Sequence, residues 1–100
     1  MINVKKFFSN KKVKTQPVIV YSTLYCPYCI RAKQLLDSKG VKYTEIRVDL
    51  DPHLRHEMME KSKRRTVPQI WIGNTHIGGC TELWTLHNND ELDQLLKQQP

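Results

Sequence analysis

Two cysteines separated by two residues are the part of this sequence best suited to do chemistry. Cys26 and Cys29 follow the apolar run 18–21, which is typical of a buried strand, and precede the helical pattern 30–36. A strand that leads into such a pair at the start of a helix is a context in which two thiols form a redox pair. With Pro27 at the first helical position, the sulfur of Cys26 faces the unpaired N–H groups of the first turn.

The two cysteines are predicted to play different parts. The positive end of the helix dipole favours the thiolate of Cys26 over its thiol, so Cys26 is the expected nucleophile, at an exposed tip. Cys29 falls on one apolar stripe with Ala32, Leu35 and Leu36, so it is expected to face the core. Because they lie three residues apart on one helical turn, the two sulfurs are expected to reach each other without moving the backbone.

Length and composition predict one globular domain, and the order of its predicted strands and helices, given below, places it in the α/β class. The chain has 100 residues and no apolar run near the roughly 20 residues that a membrane span needs, and its start lacks the apolar block of a secretory signal. A cytoplasmic location without membrane contact is therefore expected. Three cysteines are too few for a disulfide framework. The third, Cys80, is interpreted as a small residue that packs at a helix start, with a regulatory thiol as the alternative.

The net charge of +6 is concentrated at one end of the chain. Residues 1–16 contain no acid, and their lysines are Lys5, Lys6, Lys11, Lys12 and Lys14. This predicts a basic extension over 1–16 and a folded domain over 17–100. Basic tails attract nucleic acid or anionic lipid. A solvated tail, or a short helix that packs Val4, Phe7 and Phe8 on the domain, is the preferred interpretation, and no nucleic-acid partner is expected.

The remaining patterns predict four strands and four helices. Strands over 18–22 and 43–48 flank a helix over 27–39 that ends at Gly40, which makes the two strands parallel. The later elements are a helix from Asp51 to about residue 62, a hairpin of 70–72 and 75–77 around Gly73 and Asn74, a helix from Thr81 to about His87, and a last helix capped by Asn89 or Asp90. His53 and His56 are interpreted as a solvated helix face rather than a metal site.

Three short motifs occur in order along residues 17–97. They are Cys26-Pro27-Tyr28-Cys29, Thr66-Val67-Pro68-Gln69 and Gly78-Gly79-Cys80. With them the sequence resembles the glutaredoxin family, in particular its small dithiol type. The resemblance implies a thioredoxin-like fold with a four-stranded mixed sheet and flanking helices, glutathione as the reductant, and a cis peptide bond before Pro68.

The resemblance also implies a groove for glutathione beside the first cysteine. The backbone of Val67 would pair with the cysteinyl unit, and the N–H groups of Cys80 and Thr81 would hold the γ-glutamyl carboxylate at a helix start. Tyr28 would flank the groove. The other implied groove residues are Arg64 or Arg65, which would face the glycyl carboxylate, together with Thr66, Pro68, Gly79 and Glu82.

Two positions depart from the commonest family pattern. Thr23 stands where many relatives have a lysine, and Thr81 stands where many have an aspartate. The first change removes a cation near the nucleophile, and the second removes an anion for the glutathione ammonium. The basic loop 61–65 and Glu82 are the candidates to replace these charges.

The predicted function is glutathione-dependent reduction of glutathionylated proteins and protein disulfides through Cys26 and Cys29, by a monomer that needs no metal. One alternative is an iron–sulfur carrier in which Cys26 and glutathione bridge a cluster between two subunits; Pro27 and Tyr28 fit the enzyme better. The other is a thioredoxin-like reductase independent of glutathione, which Tyr28 and the Gly-Gly-Cys motif disfavour.

Overall fold

The computed structural model of this protein describes residues 15–97. Its elements in chain order are β1 (Val18–Ser22), α1 (Pro27–Ser38), β2 (Thr44–Arg47), α2 (Pro52–Ser62), β3 (Gln69–Ile72), β4 (Thr75–Gly78), α3 (Cys80–Asn88) and α4 (Leu92–Leu96). Within the described range, no helix is long and apolar enough to cross a membrane. The proposed packing of Val4, Phe7 and Phe8 falls outside the described residues.

The strands form one mixed sheet in the order β2-β1-β3-β4. β1 pairs with β2 in parallel and with β3 in antiparallel fashion, and β3 and β4 form the hairpin predicted around Gly73 and Asn74. The predicted four-stranded mixed sheet with flanking helices is confirmed. β1 is central, which explains why its apolar residues run without alternation: a strand covered on both faces has no side left for polar residues.

Each face of the sheet has its own apolar cluster. Val20 and Ile70 face α1, α3 and α4, where they pack with Leu36 and Leu83. Tyr21 and Trp71 point to the other face, where they pack with Met58 of α2. Since successive strand residues alternate between faces, β1 contributes side chains to both clusters.

Helix α1 has the predicted stripe, because Cys29, Ala32, Leu35 and Leu36 are its buried residues. Gly40 follows with φ +70°, the left-handed conformation expected after the helix end. The predicted cap of the last helix is wrong. Asn89 and Asp90 terminate α3 instead, with the Asp90 N–H donating to the His87 carbonyl at 3.1 Å, and Glu91 precedes α4 without a side-chain cap.

A polar cluster joins α1 to the edge strand β2. Lys33 Nζ lies 2.7 Å from Glu45 Oε2, and the buried Ser22 hydroxyl donates to the same oxygen. These two hydrogen bonds hold the pKa of Glu45 below its usual value of 4.5. A carboxylate whose pKa is lower in the folded state than in the unfolded chain stabilises the fold above the unfolded pKa, and this contribution is lost as the pH falls.

Glu45→Gln is therefore expected to lower the free energy of unfolding by about 1 kcal/mol near neutral pH, since both bonds are partly solvated. The difference in the free energy of unfolding between wild type and Glu45→Gln should shrink as the pH falls below the usual carboxyl pKa. Urea unfolding at neutral and acid pH measures it, and Glu60→Gln, which removes an exposed carboxylate from α2, is the matched control. A gap between wild type and Glu45→Gln that is the same at both pH values would contradict the assignment.

Candidate active site

The sulfur of Cys26 caps helix α1. Cys26 has extended backbone angles (φ −137°, ψ 106°), and Pro27 occupies the first helical position as predicted. The Cys29 N–H donates to Cys26 Sγ at 3.1 Å, and the Cys26 carbonyl accepts the first helical bond from the Ile30 N–H at 3.0 Å. A sulfur that accepts from a first-turn N–H stands where the helix dipole favours negative charge.

Cys26 does not sit at an exposed tip, and that prediction is wrong. Only 7 % of the residue is exposed, because the loop before β3 folds back over it and brings the Val67 carbonyl oxygen to 3.9 Å from Sγ.

Cys29 lies behind the first sulfur and is fully buried, as its place on the apolar stripe predicted. Both cysteines are free thiols. Burial, and then the hydrogen bond with Cys26, raise the pKa of the Cys29 thiol, while the nearby Lys33 opposes the shift. A thiol with a raised pKa stays protonated near neutral pH, and a protonated thiol is a poor nucleophile.

The loop before β3 carries the second motif and forms one wall of a groove. The Val67–Pro68 peptide bond is cis, as the family resemblance implied. Gln69 is fully buried, and its Nε2 donates to the Thr66 carbonyl at 3.0 Å and to Thr66 Oγ1 at 3.2 Å. These bonds fix the loop that presents the Val67 backbone.

The turn between β4 and α3 forms the opposite wall. Gly78 has φ +114°, which side-chain-bearing residues rarely adopt. A Cβ on Gly79 would lie 3.2 Å from the Pro68 carbonyl oxygen, so the absence of a side chain lets the two walls meet. Helix α3 begins directly after, at Cys80, one residue earlier than predicted. Its first N–H groups have no acceptor within the helix, which makes the helix start a site for anions.

The two walls enclose a groove of about 190 Å³. Its lining residues are Tyr28, Arg64, Thr66, Val67, Pro68, Gly79, Cys80, Thr81 and Glu82. The structure thus brings together all but one of the groove residues named from the sequence. The exception is Arg65, which is not part of this lining. Its carbonyl oxygen accepts a hydrogen bond from Arg55 Nη1 at 3.4 Å. Arg64 is therefore the arginine at the groove.

Comparison with known proteins agrees with this geometry. The glutaredoxin family model matches residues 18–77. The chain belongs to the glutaredoxin family. Glutaredoxins are thiol–disulfide oxidoreductases, so this chain is one as well, and its fold is thioredoxin-like.

Several relatives cover nearly the whole domain. The glutaredoxin of Pseudomonas aeruginosa is 56 % identical over 80 residues, covering 80 % of this chain and 95 % of its own. Glutaredoxin 3 of Escherichia coli is 50 % identical over 80 residues, covering 80 % and 96 %. The crystal structure of a buckwheat glutaredoxin–glutathione complex superposes with a TM-score of 0.76 at 31 % identity, covering 96 % of this chain and 93 % of that chain.

Charges at the glutaredoxin groove are arranged in a way the sequence did not predict. Glu82 Oε1 accepts from the Gly79 N–H at 2.7 Å, and Glu82 Oε2 lies 3.5 Å from Arg64 Nη1. The Gly79 N–H first, and Arg64 after it, hold the pKa of Glu82 below its usual value. The carboxylate proposed for the glutathione ammonium is thus already engaged by the α3 turn and by Arg64.

Two positioning residues of the groove were missed by sequence reasoning. Gln69 belongs to the second motif, but the motif alone does not indicate that its side chain fixes Thr66. Ser62 ends α2 and holds Arg64 through both backbone groups, since its hydroxyl accepts from the Arg64 N–H at 3.0 Å and donates to the Arg64 carbonyl at 3.1 Å. Serine after a helical pattern is a common local cap, and this was the available signal.

The third cysteine and the histidines have ordinary surroundings. Cys80 is buried in the cluster beneath α1 and α3, and burial raises the pKa of its thiol, which agrees with the packing interpretation. His53 and His56 are exposed on α2. Among residues 15–97, no group of three or more His, Cys, Asp or Glu side chains is arranged to hold a metal ion.

Proposed function

We propose that this chain is a glutathione-dependent oxidoreductase that reduces glutathione mixed disulfides and protein disulfides, working in the cytoplasm as a monomer. The observation that carries the proposal is the groove itself. It brings together the Val67 backbone, the helix start at Cys80 and the cation of Arg64, and the Val67 carbonyl oxygen lies 3.9 Å from Cys26 Sγ. The buckwheat relative described as a glutathione complex supports glutathione as the ligand.

Each groove feature suits one part of the tripeptide. The Val67 backbone offers a strand edge to the cysteinyl unit, which recognises peptide shape without reading side chains. The free N–H groups of the first α3 turn, at Cys80 and Thr81, suit the γ-glutamyl carboxylate. Arg64 suits the glycyl carboxylate, and binding would exchange its contact with Glu82 for a charge-assisted bond to the ligand.

The reaction on a mixed disulfide needs only Cys26. Its thiolate attacks the glutathione sulfur, which forms a Cys26–glutathione disulfide and releases the substrate thiolate. A second glutathione thiolate attacks the bound glutathione sulfur, which restores Cys26 and releases oxidised glutathione. The sulfur, held at the helix start, leaves readily as a thiolate in this step.

A protein disulfide needs both cysteines. Cys26 attacks one substrate sulfur, which forms a mixed disulfide and releases the other substrate sulfur as a thiolate. That thiolate takes the proton of Cys29, and Cys29 then attacks Cys26 Sγ. The Cys26–Cys29 disulfide closes, the second substrate sulfur leaves as a thiolate that water protonates, and two glutathione molecules reopen the bond and leave as oxidised glutathione. Glutaredoxins lie at roughly −200 to −230 mV and thioredoxin at about −270 mV, a gap worth roughly 2 to 3 kcal/mol, which lets glutathione serve as the reductant.

Glutathione-coupled reduction of 2-hydroxyethyl disulfide tests the proposal. Turnover that depends on glutathione and saturates with it is the expected result. Turnover only with a dedicated protein reductase would favour the thioredoxin-like alternative. Brown, iron-containing protein after purification, with no turnover, would favour the cluster carrier instead.

Thr81→Asp is expected to lower the KM for glutathione about three- to fivefold, because it adds a carboxylate that can pair with the glutathione ammonium. The carboxylate of Glu82 is already bound to the Gly79 N–H and to Arg64, whereas the new one would be free. Thr81 is exposed, so the fold should tolerate the change. Steady-state kinetics at varied glutathione measures the effect, with the uncharged Thr81→Asn as control. Equal KM values for the two variants would show that the charge at this position is irrelevant.

A further inference from the structure

His76 lies on the edge strand β4, opposite Trp71 of β3 in the register of the hairpin. The two rings stack, with their centroids 4.6 Å apart and their planes at 30°. Residues two apart on a strand point to the same face of a sheet, so the side chain of Gln69 lies on this face as well. His76 Nε2 is 2.7 Å from Gln69 Oε1. The hairpin thus brings an imidazole to the buried amide that fixes Thr66.

The hydrogen-bonding capacity of these groups determines which of them donates. The Thr66 carbonyl oxygen can only accept, so the Gln69 atom that lies 3.0 Å from it must be the amide nitrogen. The amide oxygen of Gln69 therefore faces His76, and this oxygen can only accept as well. It follows that His76 Nε2 carries a hydrogen and donates it to Gln69.

The charge state of His76 agrees with this assignment. Burial, and then the positive charge of Arg64, lower the pKa of His76 below its usual value of 6.5, while Glu82 opposes the shift. The ring is therefore neutral near neutral pH, and a neutral imidazole has one N–H. Its hydrogen must be on Nε2 rather than Nδ1 for the bond to Gln69 to exist.

The chain of contacts that begins at His76 ends at the groove. Gln69 Nε2 donates to the carbonyl and to the hydroxyl of Thr66, and Thr66 and Val67 both line the groove. Gln69 is fully buried. If its oxygen lost the His76 donor, that oxygen would be buried without a partner, a state costly enough to turn the amide away from Thr66 or to open the loop.

We propose that His76 is a positioning residue for the glutathione groove, which acts by holding the Gln69 amide in the orientation that fixes Thr66 and the Val67 backbone. The inference rests on the proposed function and adds to it a residue from outside the site. His76 is absent from the described lining of the groove, so its effect on glutathione must pass through Gln69 and Thr66.

Three variants separate the hydrogen bond from the packing of the ring. His76→Phe keeps a ring on Trp71 but removes the N–H. His76→Gln loses the ring but keeps an amide N–H that can reach the position of Nε2. His56→Phe makes the first substitution at an exposed position on α2 and is the matched control.

His76→Phe is expected to raise the KM for glutathione about five- to tenfold while kcat changes less than about twofold, because the groove loosens and the Cys26 sulfur is untouched. His76→Gln should return the KM to within about twofold of wild type, and His56→Phe should not change it. Steady-state kinetics at varied glutathione measures both constants. An unchanged KM in His76→Phe, or the same rise in His76→Gln, would overturn the proposal.

A double-mutant cycle tests whether His76 acts through Gln69. Gln69→Met removes the amide while keeping a side chain of similar length. In that background, His76→Phe should change the KM for glutathione by less than about twofold, because the contact that it breaks is already gone. Fully additive effects of the two substitutions would show that His76 acts by another route and would refute the assignment.

Nuclear magnetic resonance tests the same contact without glutathione. In the wild-type chain, a long-range proton–nitrogen correlation shows which ring nitrogen of His76 carries the hydrogen, and no variant has to fold for this measurement. A hydrogen on Nδ1 would overturn the proposal. His76→Phe should also speed the exchange of the Gln69 side-chain amide by more than about tenfold, whereas His56→Phe should not.

These measurements separate a failure of the inference from a failure of the proposed function. A wild-type chain without glutathione-dependent turnover, but with the hydrogen on His76 Nε2 and a protected Gln69 amide, would refute the proposed function and leave the contact established. Glutathione-dependent turnover with an unchanged KM in His76→Phe would refute the role of His76 alone.

Discussion

Cys26→Ser is expected to leave no measurable turnover with glutathione and 2-hydroxyethyl disulfide, a loss of more than about a thousandfold, as for other nucleophile deletions. A serine hydroxyl does not ionise near neutral pH and does not attack sulfur, so both the first attack and the glutathione adduct are lost. The coupled assay measures turnover, and mass spectrometry after treatment with oxidised glutathione measures the adduct.

This variant is expected to fold normally. Serine is a preferred helix cap, and its hydroxyl replaces the sulfur that accepts the Cys29 N–H at the start of α1. Thermal unfolding of Cys26→Ser within a few degrees of wild type would show that the loss is chemical. Substantial turnover in a folded Cys26→Ser protein would remove this sulfur from the mechanism.

Cys29→Ser is expected to separate the two activities. Reduction of a glutathione mixed disulfide should persist, since that route uses only Cys26 and free glutathione. Reduction of a protein disulfide should fall by about a hundredfold or more, because an intramolecular thiol acts at an effective concentration far above that of cellular glutathione. The two rates are measured on one preparation with 2-hydroxyethyl disulfide and with a disulfide-containing protein.

The trapped intermediate provides an independent check on Cys29. Without the second thiol, the mixed disulfide between Cys26 and the protein substrate should accumulate and appear at the summed mass. The two cysteine variants also serve as matched controls for each other, since each replaces one thiol of the same helical turn by a hydroxyl. Equal loss of both activities in Cys29→Ser would mean that this residue is needed for more than resolution.

The fold was predictable because its signals are local. The continuous apolar run of β1, the cysteine stripe of α1, Gly40 after the helix and the Gly73-Asn74 hairpin each depend on residues close in sequence. The incorrect prediction of the cap of the last helix also rested on a local signal. Asn89 and Asp90 are good caps for either helix, and in the structure they end α3, because their N–H groups donate to the α3 carbonyls of Thr85 and His87.

The parts of the site that were missed depend on residues distant in sequence. Cys26 is covered by the Val67 carbonyl, 41 residues away, and Arg64 meets Glu82 across 18 residues. The motifs placed both walls of the groove correctly but gave no information on which side chains pair with each other.

The contact between Gly79 and the Pro68 carbonyl has a consequence for how this site can diversify. The width of the groove depends on the absence of a side chain at position 79, since a Cβ there would force the Pro68 carbonyl to retreat by a few tenths of an ångström. Neighbouring positions whose side chains point outward, such as Thr81, are free to vary and retune affinity. A library randomised at positions 79 and 81 should therefore keep glycine at 79 and accept many residues at 81, so that ligand preference changes while the dimensions of the groove stay constant.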